Sequence, residues 1–332
     1  MKYNTYTLDN GLRIIHLPSD SQVVYCGYQI NAGTRNEEPG EEGLAHFCEH
    51  VTFKGTERRK AWHILNCLES VGGDLNAYTN KEGTVYYSAI QKEHIARAVD
   101  LLSDIVFHSV YPQAEIDKEV EVICDEIESY NDSPAELIYD EFENILFKGS
   151  PLGHNILGTA EQVRAFKTED ALRFTRKLYR PDNAIFFAYG DIDFKKLVRL
   201  LQRALADDES VVNLAEEKLP QISQITQISW NENSIAEEKS VSSVKSVGPK
   251  NYPSVGDGIA GQTIVMQKNT HQAHVMIGTQ AYDVNDDRRM PLYLLNNMLG
   301  GPGMNAKLNL ALREHNGGLW RYGHLEHLFR LR

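Results

Sequence analysis

Two histidines and a glutamate stand close together near residue 50. His46, Glu49 and His50 occupy positions i, i+3 and i+4, which share one face of an α-helix. Neutral imidazoles are good zinc ligands, and a carboxylate beside the metal can take a proton from water that attacks a carbonyl group. The spacing therefore predicts a hydrolytic zinc site in which His46 and His50 bind the metal and Glu49 is the general base.

The opposite face of the same predicted helix is apolar. Its residues are Leu44, Phe47, Cys48 and Val51. We expect this face to pack in the core, and for Cys48 a packing role is favoured over a nucleophilic or metal-binding one. The alternative for the polar face is a solvated surface on which two histidines and a glutamate meet by chance.

A catalytic zinc ion needs a third protein ligand, and a helix predicted over Ala114–Tyr130 offers two candidates. Glu119 and Glu126 lie seven residues apart along the edge of an apolar stripe. Two carboxylates beside a core stripe are costly to bury unless a cation or hydrogen-bond donors compensate their charge. We predict that Glu126 is the third ligand and that Glu119 supports a ligand from behind.

Several other segments point to the same chemistry. Glu126 stands 76 residues after His50, and Glu119 seven residues before Glu126. The remaining motifs are Gly43-Leu44-Ala45 before His46, Phe53-Lys54-Gly55-Thr56, Gly72-Gly73, Asn76-Ala77-Tyr78-Thr79 and Thr84-Val85-Tyr86-Tyr87. In these features the sequence resembles the pitrilysin and insulinase family of inverzincins, in particular the branch of mitochondrial processing peptidase and its bacterial relatives. The likeness extends over residues 1–205 and, more weakly, over residues 261–316.

The resemblance implies a zinc endopeptidase with one ion per chain on His46, His50 and Glu126. It also implies that a strand containing Asn76 and Ala77 binds the substrate backbone, which adds to the sheet as a further strand. The alternative for this segment is an ordinary edge strand that follows a glycine turn.

The sequence departs from the family pattern in its second domain. Active members have a second domain as large as the first, which closes over the zinc site, and an arginine and a tyrosine in it help to hold substrate. Arg313 matches the arginine, but Trp320 stands at the tyrosine position and Tyr322 lies two residues late. We therefore expect an incomplete second domain, through truncation or a frame shift, and an incomplete substrate clamp.

The elements that must position these residues follow an α+β pattern. Asn10-Gly11 predicts a tight hairpin between strands Tyr3–Leu8 and Leu12–Leu17. The other predicted strands are Val23–Ala32, Leu75–Thr79, Thr84–Ile90 and Asn183–Tyr189, and the predicted helices are 39–53, Ala61–Val71, Glu93–His108, Ala114–Tyr130, Ala135–Phe147, Thr168–Tyr179 and Phe194–Leu205. Grouped strands followed by grouped helices predict a mixed, largely antiparallel sheet packed against helices.

Three segments are expected along the chain. Residues 1–206 form the N-terminal zinc peptidase domain, and residues 207–260, rich in polar residues, form a linker or insertion. Residues 261–332 form a partial C-terminal domain of the same type. Its predicted strands are Thr263–Gln267 and His274–Ala281, and its predicted helices are Met290–Met298 and Met304–Glu314.

Composition limits the class of partner and the compartment. The 332 residues include 34 Lys and Arg against 46 Asp and Glu, and the resulting net charge of −12 disfavours nucleic acid or an anionic membrane as the main partner. No apolar run approaches the roughly 20 residues of a membrane span, and the N-terminus is a poor signal or transit peptide, so we expect a cytoplasmic protein. The four cysteines are expected to be reduced.

Three functional hypotheses follow. The first is a metalloendopeptidase that cuts peptides or unfolded polypeptide segments and that forms a homodimer or pairs with a related subunit. The second is a catalytically inactive structural or regulatory subunit that still binds zinc, and the third is a generic metal-binding module. Because His46, Glu49, His50 and Glu126 are all present, the enzymatic lineage is favoured. For His154 the default is an ordinary surface or core histidine.

Overall fold

A computed structural model describes residues 2–206, 264–268, 274–278, 281–282, 286–302 and 305–311 of the chain. Residues of the chain fall into two compact units by the contacts that they make with one another, Met1–Pro253 and Ser254–Arg332. The predicted linker at 207–260 lies outside the described residues. Among the described residues no helix combines the length and the apolar character that are needed to cross a bilayer.

The N-terminal unit is built on one six-stranded sheet. Its strands are β1 (Asn4–Thr7), β2 (Arg13–Pro18), β3 (Val23–Ile30), β4 (Asp74–Thr79), β5 (Thr84–Gln91) and β6 (Ala184–Gly190). They lie in the order β1-β2-β6-β3-β5-β4, and only the β2–β6 pair is parallel. The prediction of a mixed, largely antiparallel sheet is confirmed. Strands β1 and β4 are its edges.

Helices cover one face of this sheet. They are α1 (Leu44–Thr52), α2 (Ala61–Glu69), α3 (Ile95–Phe107), α4 (Gln113–Asn131), α5 (Pro134–Leu146), α6 (Ala160–Ala165), α7 (Thr168–Leu178) and α8 (Phe194–Ala204). α1 and α2 pack against β4, α3 packs against β3 and β5, and α4 packs against α1. The sheet and the helices together form the α+β layer pattern expected from the sequence.

The core lies between the sheet and the helices. Alternate residues of β2, β3, β5 and β6 face it, as the period of two requires, and Tyr28, Tyr86 and Phe186 are fully buried. The hydroxyl groups of both buried tyrosines have partners, since Tyr28 is hydrogen-bonded to Ser103 (2.8 Å) and Tyr86 donates to Thr52 (3.2 Å). This core fixes β4 and α1 against one another.

The C-terminal unit contains two helices among its described residues, α9 (Arg289–Gly300) and α10 (Lys307–Asn309). The strands predicted at Thr263–Gln267 and His274–Ala281 are wrong for the parts that are described, because residues 264–268 and 274–278 are not in a β-strand. Alternation of apolar and polar residues specifies which faces a strand would have, but a strand forms only where a second strand accepts its hydrogen bonds. Arg313 lies outside the described residues.

Candidate metal centre

Helix α1 begins at a sharp turn that is held from two sides. Gly43, which precedes it, has a positive φ of 94°, and a side chain there would meet the Leu157 carbonyl oxygen at 2.6 Å. The buried carboxylate of Glu37 accepts hydrogen bonds from the Gly43 amide (3.1 Å) and the Ala45 amide (2.8 Å). Glu37 therefore satisfies amide groups that a helix N-terminus leaves free, and its negative charge lies at the favourable end of the helix dipole.

Glu37 is itself held by His154. The distance from His154 Nε2 to Glu37 Oε2 is 2.8 Å. Burial raises the pKa of Glu37, while the hydrogen bond from His154 and those from the amide groups oppose this rise. His154 thus has a structural partner at the start of α1.

The two faces of α1 are divided as the sequence predicts. Leu44, Phe47, Cys48 and Val51 are fully buried. Burial raises the pKa of the Cys48 thiol well above its ordinary value, so the packing role favoured for this residue agrees with the structure. His46 is 6% exposed, and Glu49 and His50 are half-buried on the other face.

Helix α4 carries Glu126 to the polar face of α1. Glu126 Oε1 lies 3.7 Å from His46 Nε2, and Glu126 Oε2 lies 3.2 Å from His50 Nε2. One possible ligand atom from each of the three residues falls within 4.8 Å of the others. Within the described parts of the chain, no other three or more His, Cys, Asp or Glu side chains form such a group.

The chemistry of this group fits a zinc ion. Two imidazole nitrogens and a carboxylate oxygen are a ligand set of catalytic zinc sites, in which a fourth position stays open. The Nδ1 atom of His46 is buried and has no hydrogen-bond partner among the described residues. Burial and the neighbouring His50 lower the pKa of His46, which favours the neutral imidazole that a metal requires.

The protonation of His50 and Glu126 also fits a site for a cation. Burial lowers the pKa of His50, but hydrogen bonds to Glu119 and Glu126 outweigh it and raise the value to about 9. The hydrogen bond from His50 holds the pKa of Glu126 below its usual range. In the absence of metal a proton on His50 therefore balances the carboxylates, and a divalent cation can take over that balance.

Glu119 lies behind His50, as predicted for a supporting carboxylate. Its Oε1 atom accepts a hydrogen bond from His50 Nδ1 at 3.0 Å. Because an ionised carboxylate only accepts, Nδ1 carries the proton and Nε2 is left to face Glu126. Burial opposes ionisation of Glu119, but hydrogen bonds from His50 and Lys54 outweigh it and lower the pKa.

Glu49 lies on the polar face of α1 beside His46 and His50, and one of its carboxylate oxygens is available to a ligand. Its Oε2 atom is buried and has no hydrogen-bond partner among the described residues. Burial raises the pKa of Glu49 above its ordinary value, which brings a carboxylate closer to the range in which it can accept and return a proton near neutral pH.

The predicted substrate strand is the free edge strand β4. Asn76 pairs with Tyr87 and Ala77 with Tyr86 on β5, and none of the strands in the described part of the chain lies on the other side of β4. The Ala77 amide donates to Asn76 Oδ1 at 2.8 Å. Asn76 is exposed on this edge, and β4 packs beside α1. The third predicted substrate residue, Arg313, lies outside the described residues.

Two features of the centre were not identified from the sequence. Lys54 reaches Glu119 with a distance of 2.5 Å between Nζ and Oε2. Its place in the Phe53-Lys54-Gly55-Thr56 motif, just after the histidines, is a signal that could have suggested it. The Glu37–His154 contact joins residues 117 apart in the sequence, and no local pattern indicates it.

The sheet, the helix layer and the His-His-Glu group together define a scaffold of the metallopeptidase class. Sequence models of two families match the chain: insulinase (peptidase family M16) over residues 14–160 and peptidase M16 inactive domain over residues 165–319. The chain belongs to this insulinase family, M16. Its similarity to individual proteins agrees with this assignment.

An uncharacterized zinc protease of Bacillus subtilis is 30% identical over 314 residues, which are 94% of this chain and 67% of that protein. The beta subunit of the mitochondrial-processing peptidase of Saccharomyces cerevisiae is 37% identical over 201 residues, 60% of this chain and 43% of that subunit. The crystal structure of a protease from Helicobacter pylori shares the fold with a TM-score of 0.71 at 21% identity, covering 95% of this chain and 69% of that chain. Across eight curated relatives, the chain spans 42–67% of the relative's length.

Proposed function

We propose that this chain is a zinc-dependent endopeptidase that hydrolyses peptides or unfolded polypeptide segments. One zinc ion per chain is held by His46, His50 and Glu126, and Glu49 is the general base. The observation that carries the proposal is the meeting of these three side chains beside a buried carboxylate oxygen that has no hydrogen-bond partner among the described residues. Relatives that bear the name zinc protease support the choice of metal.

Each residue of the chain has a distinct part in the reaction. Zinc, when bound, polarises the scissile carbonyl group and makes water more acidic. Glu49 Oε2 accepts the proton of the attacking water and later returns it to the leaving amine. Glu119 keeps the proton of His50 on Nδ1, so that Nε2 stays available as a ligand.

Substrate binding is proposed along β4. An extended peptide that pairs with this edge gains backbone hydrogen bonds in place of the contact between the Ala77 amide and Asn76 Oδ1. Such binding recognises the backbone, and it requires an extended segment. Peptides and unfolded stretches are therefore the proposed substrates, and Arg313 is proposed as a further substrate contact.

A second candidate function is a zinc-binding subunit that does not itself cut. It is favoured by the fact that one relative is a named subunit of a peptidase. In either case we propose that the chain forms a homodimer or pairs with a related subunit. A cytoplasmic location remains a prediction.

The experiment that separates these functions is hydrolysis of a mixed set of unstructured peptides by the purified, zinc-loaded chain. A Glu49→Gln variant and a chelated sample are run beside it. Cleavage that falls by about 10³-fold or more in Glu49→Gln, with zinc still bound, supports the endopeptidase. Cleavage that is unchanged in Glu49→Gln rejects the assigned base. One equivalent of zinc without any cleavage favours the non-catalytic subunit.

A further inference from the structure

Lys54 lies just beyond the end of the helix that carries the histidines. α1 ends at Thr52, and the Lys54 amide then donates to the Val51 carbonyl oxygen at 3.1 Å. The side chain turns toward α4, where Nζ lies 2.5 Å from Glu119 Oε2. Lys54 therefore links the C-terminal end of α1 to the helix that supplies Glu119 and Glu126.

Glu119 is held at both of its oxygen atoms. Oε1 accepts from His50 Nδ1 at 3.0 Å, and Oε2 accepts from Lys54 at 2.5 Å. A carboxylate with a different donor at each oxygen has little freedom to rotate, so the direction in which Oε1 faces the imidazole is fixed. The ring of His50 is fixed in turn, with Nε2 held 3.2 Å from Glu126 Oε2.

We propose that Lys54 is a positioning residue of the metal centre, which sets zinc affinity through Glu119 and His50 without touching the metal. The inference rests on the proposed function, because it takes His50 as a zinc ligand. Lys54 differs from an ordinary surface lysine because its partner Glu119 is largely buried and contacts His50. The side chains of Lys54 and Glu119 are 23% and 12% exposed, so solvent screens this pair less than an exposed one.

The chain provides a matched control on the same helix. On α4, Lys118 directly precedes Glu119 in the sequence. It pairs with Glu115, with 2.7 Å between Lys118 Nζ and Glu115 Oε1. The Lys118 side chain is 70% exposed, and its ion-pair partner Glu115 is not among the three candidate ligands. Replacing Lys118 changes the net charge as much as replacing Lys54 does, but it leaves Glu119 in place.

The test is the zinc affinity of the full chain, measured by competition with a chelating dye at fixed pH. Lys54→Met is expected to weaken zinc binding by about 10-fold, the lower end of the effect of removing a group behind a metal ligand. Lys54→Arg keeps the cation and is expected to stay within about 3-fold of the parent, and Lys118→Met within about 2-fold. Cobalt added in place of zinc gives an absorption spectrum that is expected to change in Lys54→Met and not in Lys118→Met.

A double variant shows whether Lys54 acts through Glu119. Lys54→Met in a Glu119→Gln background is expected to add less than about 2-fold, because the group that it positions is already altered. Thermal melts of the zinc-free variants establish that each is folded, and Lys54→Gln, which keeps a polar end group without the charge, replaces Lys54→Met if the latter does not fold. The same loss in Lys54→Met and Lys118→Met, or losses that simply multiply in the double variant, would overturn the inference.

His50→Ala separates this inference from the proposed function. If zinc affinity is unchanged in His50→Ala, the assigned ligand set is wrong, and the role of Lys54 is rejected with it. If His50→Ala loses zinc while Lys54→Met binds it as tightly as the parent, the ligand set stands and only the role of Lys54 is rejected. The expected result is a large loss in His50→Ala and a smaller loss in Lys54→Met.

Discussion

The two units of the chain differ in how far their apolar side chains are buried. In the N-terminal unit Tyr28, Tyr86 and Phe186 are fully buried between a sheet and a layer of helices. In the described parts of the C-terminal unit Val265 is 86% exposed and Ile277 is 90% exposed. An apolar sequence pattern alone does not make a core, since burial also needs partners that cover each face. The three candidate zinc ligands, His46, His50 and Glu126, all belong to the N-terminal unit.

The comparison predicts that zinc binding depends on the N-terminal unit alone. His50→Ala removes a ligand and is expected to weaken zinc binding by more than about 10³-fold, or about 4 kcal/mol. His274→Ala, at an exposed histidine of the C-terminal unit, is expected to leave the affinity unchanged. Isothermal titration of zinc into the chelator-treated proteins measures both. A loss in His274→Ala as large as that in His50→Ala would contradict the assignment of the metal to one unit.

Substitution of a buried apolar residue in the N-terminal unit should lower stability much more than substitution of an exposed one in the C-terminal unit. Phe186 packs edge-to-face on Tyr28, with ring centroids 4.9 Å apart. Phe186→Ala is expected to lower the free energy of unfolding by about 3–5 kcal/mol, because it leaves a cavity in the core. Leu294→Ala, at a position that is 60% exposed on α9, is expected to change it by less than about 0.5 kcal/mol. Urea unfolding followed by circular dichroism compares the two, and equal effects would mean that the units are stabilised alike.

The buried charges of the N-terminal unit predict a pH dependence in the zinc-free protein. Hydrogen bonds to Glu119 and Glu126 outweigh burial and raise the pKa of His50 from 6.5 to about 9. Because the folded-state pKa is the higher one, the stability from this group is fully present below pH 6.5 and is lost as the pH rises through about 9.

The expected loss is on the order of 2 kcal/mol in the free energy of unfolding of the chelated protein. His50→Ala should remove this part of the pH dependence. Asp286→Asn, which breaks an exposed ion pair with Arg288 in the C-terminal unit, should not. Urea unfolding at a series of pH values measures the slope. If His50→Ala kept the full slope, another group would be its source.

The smallest expected effect concerns the four cysteines, all of which lie in the N-terminal unit. Cys26, Cys48 and Cys124 are buried, whereas Cys67 is only partly buried, and all are free thiols. Burial raises the pKa of Cys26 to about 12, so this thiol is both inaccessible to a reagent and protonated at neutral pH. A thiol reagent is expected to label one cysteine in the native chain and four in denaturant, and Cys67→Ser should abolish the native-state labelling. Rapid labelling of the other three would show that the core opens more readily than its packing indicates.

Much of the N-terminal fold could be predicted because its elements are long and periodic. The predicted helix Ala114–Tyr130 corresponds to α4, Gln113–Asn131, and the predicted helix Phe194–Leu205 to α8, Phe194–Ala204. Helix α6 was missed because its six residues are too few to show a helical period, although Thr159 and Gln162 form a capping box that could have marked its start. In the C-terminal unit, alternation predicted strands that the described residues do not form.

The residues that share the polar face of α1 follow from the order of amino acids alone. The helix period is set by local backbone hydrogen bonds, so His46, Glu49 and His50 converge without help from the rest of the chain. It also indicated the spacing to Glu119 and Glu126.

The contacts around this face had to be observed in the fold. Glu119 accepts from His50 at one oxygen and from Lys54 at the other, and Glu37 and His154 hold the start of the helix. These contacts join separate elements, and their geometry results from the packing of the whole sheet and helix layer, which no local period encodes.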